Sequence, residues 1–497
     1  MTDIAQPSSL RVRATHAVAM FTILSVGARV VMLVSNWLLG YFLDQEAFGV
    51  MGMVGIVTTL AWTFVGFGLD DVLIQRGRSI RLWESTTFAA SLTVGILAGL
   101  SVALSAPFFG WIFREPGLVG PLMAMSLCMP IASLSTVASA KISSEMDFPF
   151  FVRWSVVELL VGQILTVILA LLHFGAYSFV LPVILVMVLR AVAYNLRARP
   201  NWGIIQRGKR RLLILRKGAM VAGGKVAGGL VTQADYLVLA LLTNTTALGY
   251  YFFAFRIAAL PVRTIAGSLG QVLFPAMSSH RGDIARQSAS AIKAAALLCW
   301  VVSPLCYLQM AVARPLLELF FGDKWALSIP VIEFLSAGLA IEAVMTVMRS
   351  FLSAAGKFHV GLTYSILHGI GYSCACLIGA LWGSINGLAL AVSLYYIITQ
   401  PIIFVWLVDQ SRQKIRMLID IFVLPSLVSA ASFGAGLAVS KSAFVPQGYV
   451  WEMAITALVG GAAFIGMLAF TAPAIFRELV DLGRSFLRRR RPIQASA

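Results

Sequence analysis

The sequence predicts an all-α polytopic membrane protein, with about 14 transmembrane helices in two pseudo-symmetric six-helix lobes around a central cavity, plus two C-terminal helices. Of the 497 residues, 59% are hydrophobic and only 12% are charged, roughly half the charged share of a soluble domain. Fourteen apolar runs each reach the roughly 20 residues that a helix needs to cross the bilayer core. Basic residues concentrate between alternate runs. These observations exclude a soluble enzyme, a disordered chain and a fibrous protein.

The first apolar run follows a short polar segment and is longer than the roughly 7–15 residues of a signal-peptide core, so we expect it to be retained as a helix. The predicted spans cover residues 17–43, 47–70, 85–112, 118–140, 151–173, 176–196, 216–242, 248–275, 289–313, 328–353, 359–382, 384–408, 417–440 and 450–471.

The distribution of basic residues predicts that both termini are cytoplasmic. With this orientation, 24 of the 38 Lys and Arg residues lie outside the spans on the cytoplasmic side. Only four lie on the other side, namely Arg114, Arg314, Lys324 and Lys441. This asymmetry follows the positive-inside rule. The net charge of +17 is spread over short loops, which favours contact with anionic lipids and argues against nucleic acid as a partner.

A weak internal repeat supports the division into two lobes. The segment WLLGYFLDQEAFG at 37–49 and the segment LVLALLTNTTALG at 237–249 match at an offset of 200, including Gly49 with Gly249. A repeat of six spans keeps its orientation, so the lobes would be related by an axis along the membrane normal.

The predicted organisation has five parts. They are an N-terminal lobe (1–196), a basic cytoplasmic linker (197–217), a C-terminal lobe (218–408), two extra helices (409–473) and a basic amphipathic cytoplasmic tail (474–497). We expect the tail to lie on anionic lipid, with Phe476, Leu479, Val480, Gly483, Phe486 and Leu487 on its apolar face.

Charged residues inside spans are costly and are therefore functional candidates. Four cations, Arg29, Lys225, Arg256 and Arg263, lie in spans 1, 7 and 8 and predict a cationic cavity that binds an anionic substrate. Pro261 lies between the two arginines of span 8 and is expected to kink that helix.

The acidic residues in spans leave alternatives open. Asp235 and Glu158 are candidates for proton-linked coupling, but a pair of Arg256 with Asp235 would weaken that role. Glu342 and Arg349 are seven residues apart in span 10. Arg349 is nearer the cytoplasmic end, and we interpret it as a structural residue that snorkels. No nucleotide-binding or metal-binding motif is present in the sequence, so no cofactor, metal or catalytic residue is predicted.

Two segments resemble the Wzx-type oligosaccharide flippases, which belong to the polysaccharide transporter family of the multidrug/oligosaccharidyl-lipid/polysaccharide exporter superfamily. The first is GYFLDQEAFGVMGMVGIVTTLAWTFVGFGLDDVLIQR at 40–76. The second, at 234–279, carries the patterns "LGYY", "AFR" and "VLFPA". The segment at 320–337 is also similar. Asp235 and Arg256 match positions of the family pattern.

The resemblance implies a flippase of the bacterial inner membrane and not an enzyme. Its substrate would be an undecaprenyl-pyrophosphate-linked oligosaccharide used for exopolysaccharide, lipopolysaccharide O-antigen or capsule, and its partners a polymerase and a chain-length regulator. A drug or cation antiporter on the same fold is one alternative, although it would favour an acidic cavity. A polymerase or non-transporting scaffold of the export complex is another.

We expect Arg29→Ala and Lys225→Ala each to impair polymer export without loss of protein from the membrane, because each removes a cation from the predicted cavity. Quantifying the secreted polymer and the membrane-bound protein in both variants checks this. Normal polymer from both would contradict the cavity assignment.

Overall fold

The computed structural model is helical. It describes residues 31–66, 82–145, 147–200, 232–266, 283–408, 414–442 and 448–488, with residues 27, 69, 73, 273, 277 and 446 between them. Within these ranges no β-strand occurs. The helices are α1 (Val31–Phe42), α2 (Gln45–Gly66), α3 (Glu84–Ile112), α4 (Val119–Ser126), α5 (Cys128–Ser144), α6 (Phe148–Leu171), α7 (Tyr177–Ala198), α8 (Ala234–Leu242), α9 (Thr245–Ala258), α10 (Ile284–Phe321), α11 (Ile329–Glu342), α12 (Met345–Ala354), α13 (Phe358–Val408), α14 (Lys414–Leu418), α15 (Leu424–Ser440), α16 (Tyr449–Thr471) and α17 (Pro473–Arg488).

Eight helical segments among the described residues are long and apolar enough to cross a membrane. Two of these are much longer than one crossing requires. The segment Ile284–Ala354 is interrupted by a 3-10 turn at Gly322–Ser328. The helix α13 is interrupted at Gly383 and Ser384, where Ser384 has a φ of 55°. Most predicted spans therefore coincide with observed helices, whereas the total of 14 crossings stays a prediction.

The chain divides into two compact units. Unit 1 comprises Met1–Phe252 and His368–Ser373, and unit 2 comprises Phe253–Leu367 and Cys374–Ala497. The second lobe predicted from the sequence begins at residue 218, whereas the first segment of unit 1 extends to Phe252. The difference arises because α8 and the start of α9 pack with α2. The five-part organisation stays a prediction.

The two copies of the sequence repeat contact each other within unit 1. A Cβ atom added to Gly49 would collide with the carbonyl oxygen of Thr245, and one added to Gly249 would collide with that of Gln45. The offset of 200 relates Gly49 to Gly249 and Gln45 to Thr245, so the two contacts are equivalent positions of the repeat. Gly52 packs on Leu248, and the equivalent pair is Phe48 with Phe252, whose ring centroids are 6.3 Å apart. The pairing shows a local two-fold relation between the N-terminal turns of α2 and α9.

The first turn of α6 is tied to the last turn of α7. Asp147 caps α6, since its Oδ1 accepts a hydrogen bond of 3.3 Å from the Phe150 amide. Its Oδ2 accepts hydrogen bonds from Arg197 Nη2 at 2.6 Å and Nε at 3.0 Å. The Arg197 guanidinium lowers the pKa of the Asp147 carboxyl below its ordinary value, so this link is charged at neutral pH.

The C-terminal helices pack on α10 in unit 2. Gly436 and Gly460 allow α15 and α16 to approach closely, because a Cβ on Gly436 would lie 2.7 Å from the Thr456 carbonyl oxygen. The tail helix α17 docks on the core around Trp300 through Ile475, Phe476 and Leu479. Lys293 Nζ also lies 2.8 Å from Glu478 Oε1. Part of the predicted lipid-facing surface of the tail is thus covered by protein, and its contact with anionic lipid stays a prediction.

We expect Gly49→Ala and Gly249→Ala each to destabilise the protein, because a methyl group at either position meets a backbone carbonyl that cannot rotate away. Overpacking of this kind costs about 1–3 kcal/mol. Thermal unfolding of the detergent-solubilised protein measures the effect. Gly55→Ala in α2 is the matched control, since a Cβ there meets nothing within 4 Å. Equal unfolding temperatures for all three variants would contradict the close approach.

Candidate functional site

Asp235 is buried in a set of hydrogen bonds in unit 1. It lies in the first turn of α8, and only 1% of the residue is exposed. The Tyr251 hydroxyl donates to Asp235 Oδ2 at 3.0 Å, and the Tyr236 amide donates to Oδ1 at 2.9 Å. Tyr372 of α13 also forms a side-chain hydrogen bond with this carboxyl group. Hydrogen bonds of this kind offset the cost of burying a polar group.

Aromatic rings enclose this carboxyl group. The rings of Tyr236 and Tyr251 meet edge to face with centroids 5.7 Å apart, and His368 lies 5.9 Å from Tyr372. The arrangement holds a buried carboxyl group in hydrogen bonds with two phenol groups, and an imidazole lies next to one of them. Such a group suits a proton-binding or a positioning role.

Sequence reasoning identified Asp235 but missed both tyrosines. Tyr251 could have been found, because it lies in the "LGYY" segment, in the helix that follows α8 after a short turn. Tyr372 could not, because the two halves of this contact are far apart in the chain.

The two arginines of span 8 differ in environment. Arg256, in the last turn of α9, is half-buried, whereas Arg263 is exposed. The Arg263 guanidinium lies 6.0 Å from the centroid of the Phe255 ring. The amide of Ala259 donates to Phe255 and that of Arg263 to Ala259, at 3.0 and 2.9 Å. The helical register therefore continues, and the arginines, seven residues apart, lie on similar faces.

Pro261 disturbs this helix at one carbonyl group. Proline has no amide hydrogen, so the carbonyl oxygen of Ile257, four residues earlier, lacks its usual helical partner. The side chain of Gln309 in α10 takes that place, with Nε2 donating to the Ile257 oxygen at 2.9 Å. The sequence analysis predicted the kink but not the residue that satisfies the freed carbonyl group.

Glu158 is engaged in an ion pair. Arg190 Nε donates to Glu158 Oε1 at 2.7 Å, and Arg190 Nη2 donates to Oε2. The Glu158 side chain is only 9% exposed. A two-point bond with guanidinium stabilises the charged carboxylate, so the geometry favours a link between α6 and α7 over proton transfer.

The other two predicted cavity cations, Arg29 and Lys225, lie outside the described residues. The predicted pair of Arg256 with Asp235 joins residues of different units and stays a prediction.

A pocket of about 350 Å³ opens beside the first repeat turn in unit 1. Asp44, Glu46, Glu115 and His173 line it. Glu115 Oε2 accepts a hydrogen bond of 2.5 Å from the Thr245 hydroxyl. The acidic lining does not suit an anionic ligand.

The chain is similar over most of its length to two bacterial polysaccharide proteins. Succinoglycan biosynthesis transport protein ExoT of Rhizobium meliloti (strain 1021) is 22% identical over 472 residues, which cover 92% of this chain and 93% of that protein. Lipopolysaccharide biosynthesis protein WzxC of Escherichia coli (strain K12) is 24% identical over 393 residues, which cover 78% of this chain and 77% of that protein.

Two solved structures share the fold. The lipid II flippase MurJ, in an inward closed conformation, aligns with a TM-score of 0.74 and 13% identity over 93% of this chain and 100% of that chain. An inward-facing multidrug resistance transporter of the MATE family aligns with a TM-score of 0.60 and 15% identity over 80% of this chain and 98% of that chain. The predicted all-α membrane fold is confirmed.

The family model described as "Polysaccharide biosynthesis protein" matches residues 38–330, more than half of the chain. This range contains two of the three segments on which the flippase resemblance was based and most of the third, and that resemblance is confirmed. The match and the fold together show that the chain belongs to the polysaccharide biosynthesis protein family.

Proposed function

We propose that this protein moves undecaprenyl-pyrophosphate-linked oligosaccharide repeat units to the outer leaflet of the bacterial inner membrane by alternating access. The product would serve exopolysaccharide, O-antigen or capsule synthesis. The observation that carries the proposal is similarity over 92% of the chain to a protein named for succinoglycan transport. On this proposal the protein is a secondary transporter, with both termini cytoplasmic.

The chemistry of the substrate supports this assignment. A diphosphate headgroup loses its water shell in crossing the membrane, and guanidinium groups compensate that loss through charge-assisted hydrogen bonds. Arg256 and Arg263 are described members of the predicted cationic set, and Arg29 and Lys225 complete it. The lipid tail can remain in the bilayer while the head crosses.

The driving force is the second part of the proposal. Asp235 is the candidate for proton coupling, because it is a buried carboxyl group held by hydroxyl groups that can exchange hydrogen bonds. Consumption of the product outside by a polymerase, with a chain-length regulator, would also pull the reaction forward.

A drug or cation antiporter is the second candidate. The acidic pocket around Asp44 and Glu115 and the fold shared with a multidrug resistance transporter favour it. The two candidates predict opposite charges for the transported molecule, so an assay of lipid-linked sugar separates them.

Deletion of the gene is expected to leave lipid-linked repeat units on the cytoplasmic leaflet, since their headgroups cannot cross unaided. Intact cells and inverted vesicles would each be labelled with a membrane-impermeant glycan reagent. Labelling of inverted vesicles but not of intact cells supports the flippase. Re-expression of the wild-type chain is the control and should restore labelling of intact cells.

Repeat units that reach the outer leaflet but stay unpolymerised would overturn the proposal in favour of a polymerase or scaffold. Normal polymer together with a new sensitivity to cationic drugs would favour the antiporter.

Asp235→Asn is expected to slow flipping about tenfold and to make the remaining rate insensitive to a collapsed proton gradient, because an amide cannot carry a proton. Flipping in inverted vesicles with and without a protonophore measures both effects. Asp283→Asn is the matched control, since Asp283 caps the exposed start of α10 and Asn caps a helix equally well. Undiminished wild-type flipping without the gradient would contradict the coupling.

A further inference from the structure

The helix pair α11 and α12 is enclosed by protein. Between Ile329 and Ala354, every large apolar side chain is buried or half-buried. The helix α3 differs, since its Leu104 is 80% exposed and its Trp111 is 75% exposed. The pair α11 and α12 therefore has no exposed large apolar side chain.

Four polar residues of this pair that are partly or fully accessible form a polar stripe. Three of its members, Thr346, Arg349 and Ser353, are spaced three and four residues apart and so lie on one face of α12. The fourth, Glu342, ends α11. The Arg349 side chain is 53% exposed and that of Glu342 is 23% exposed. No large apolar side chain of α11 or α12 is exposed beside the stripe.

The Arg349 guanidinium is only partly engaged. Its Nη2 donates one hydrogen bond of 3.1 Å to Glu342 Oε1, and among the described residues it donates no other. A guanidinium carries five donors and can bind an oxyanion at two points. Four of its five donors therefore have no hydrogen-bond partner among the described residues, and the side chain is more than half exposed.

Two tyrosines of α13 complete the surroundings. Tyr364 and Tyr396 lie close enough to interact electrostatically with Arg349. The Tyr364 hydroxyl donates to Gln400 Oε1 at 3.0 Å, and this bond orients the phenol group. The cluster therefore combines one cation, one displaceable carboxylate and phenol groups within unit 2.

We propose that Arg349 is an anion-binding residue of the substrate path, where an oxyanion of the substrate displaces Glu342. This inference rests on the proposed function. The oxyanion is the diphosphate of the lipid carrier or the carboxylate of an acidic sugar. Between transport events Glu342 pairs with the guanidinium, which compensates its positive charge and holds it in position. The sequence alone instead indicates that Arg349 is a structural residue that snorkels, and that interpretation stays a prediction.

Equilibrium binding to the purified full-length protein in detergent tests the proposal, with farnesyl diphosphate and free glucuronate as separate probes. Arg349→Ala is expected to weaken binding of one probe about tenfold, which identifies the source of the oxyanion. Arg349→Lys is expected to restore part of the affinity, since it keeps the charge but not the two-point geometry. Glu342→Gln is expected to strengthen binding severalfold, because the competing carboxylate is gone.

Arg416→Ala is the matched control. Arg416 forms an exposed ion pair of 3.6 Å with Asp420 in unit 2, and its loss changes the net charge equally without touching the stripe. Unchanged affinity for both probes in Arg349→Ala overturns the inference, as does weaker binding in Glu342→Gln. A wild-type protein that binds neither probe also overturns it. The leaflet assay on the deletion strain tests the proposed flippase function independently. Failure of that function can therefore be distinguished from failure of the anion-binding role of Arg349.

Discussion

The close backbone approach at Gly49 and Gly249 is the constraint on which much of unit 1 depends. Each glycine lies against a carbonyl group at the start of the other helix, so neither can carry a side chain without separating α2 from α9. The turn that precedes α9 also reverses the chain after α8. That reversal brings Tyr251 back to Asp235. The buried carboxyl group is therefore placed by packing at the repeat turns and not by its own hydrogen bonds alone.

Helix positions were largely predictable, because the composition of a lipid-spanning run is restrictive. The predicted span 85–112 is observed as Glu84–Ile112, and 450–471 as Tyr449–Thr471. The repeat was also readable, although few residues match, because the constrained glycine is retained in both copies. Side-chain partners were not predictable in the same way. The rotation of one helix against another decides which residues meet, and local sequence holds little information about that rotation.

The charged residues illustrate this difference. Glu158 met the sequence criterion for a functional carboxyl group, yet Arg190, in the neighbouring helix, neutralises it. Arg349 met the criterion for a snorkelling residue, yet its helix pair exposes no large apolar side chain. In both cases the sequence placed a charged residue within a predicted span. The environment around that charge depends on which helices are internal, and this is a property of the assembled bundle.

The bond between Gln309 and the Ile257 carbonyl group has a mechanical consequence for α9 and the residues that follow it. In an unbroken helix, bending lengthens several backbone hydrogen bonds at once. Here the bond at the proline is made by a side chain, which can be exchanged for water at a net cost of about 0.5–1.5 kcal/mol. The segment carrying both arginines can thus pivot at thermal energies while its remaining backbone ladder stays closed. The helix thus consists of two parts that bend relative to each other at Pro261, and the Gln309 hydrogen bond holds them in one orientation until it is exchanged.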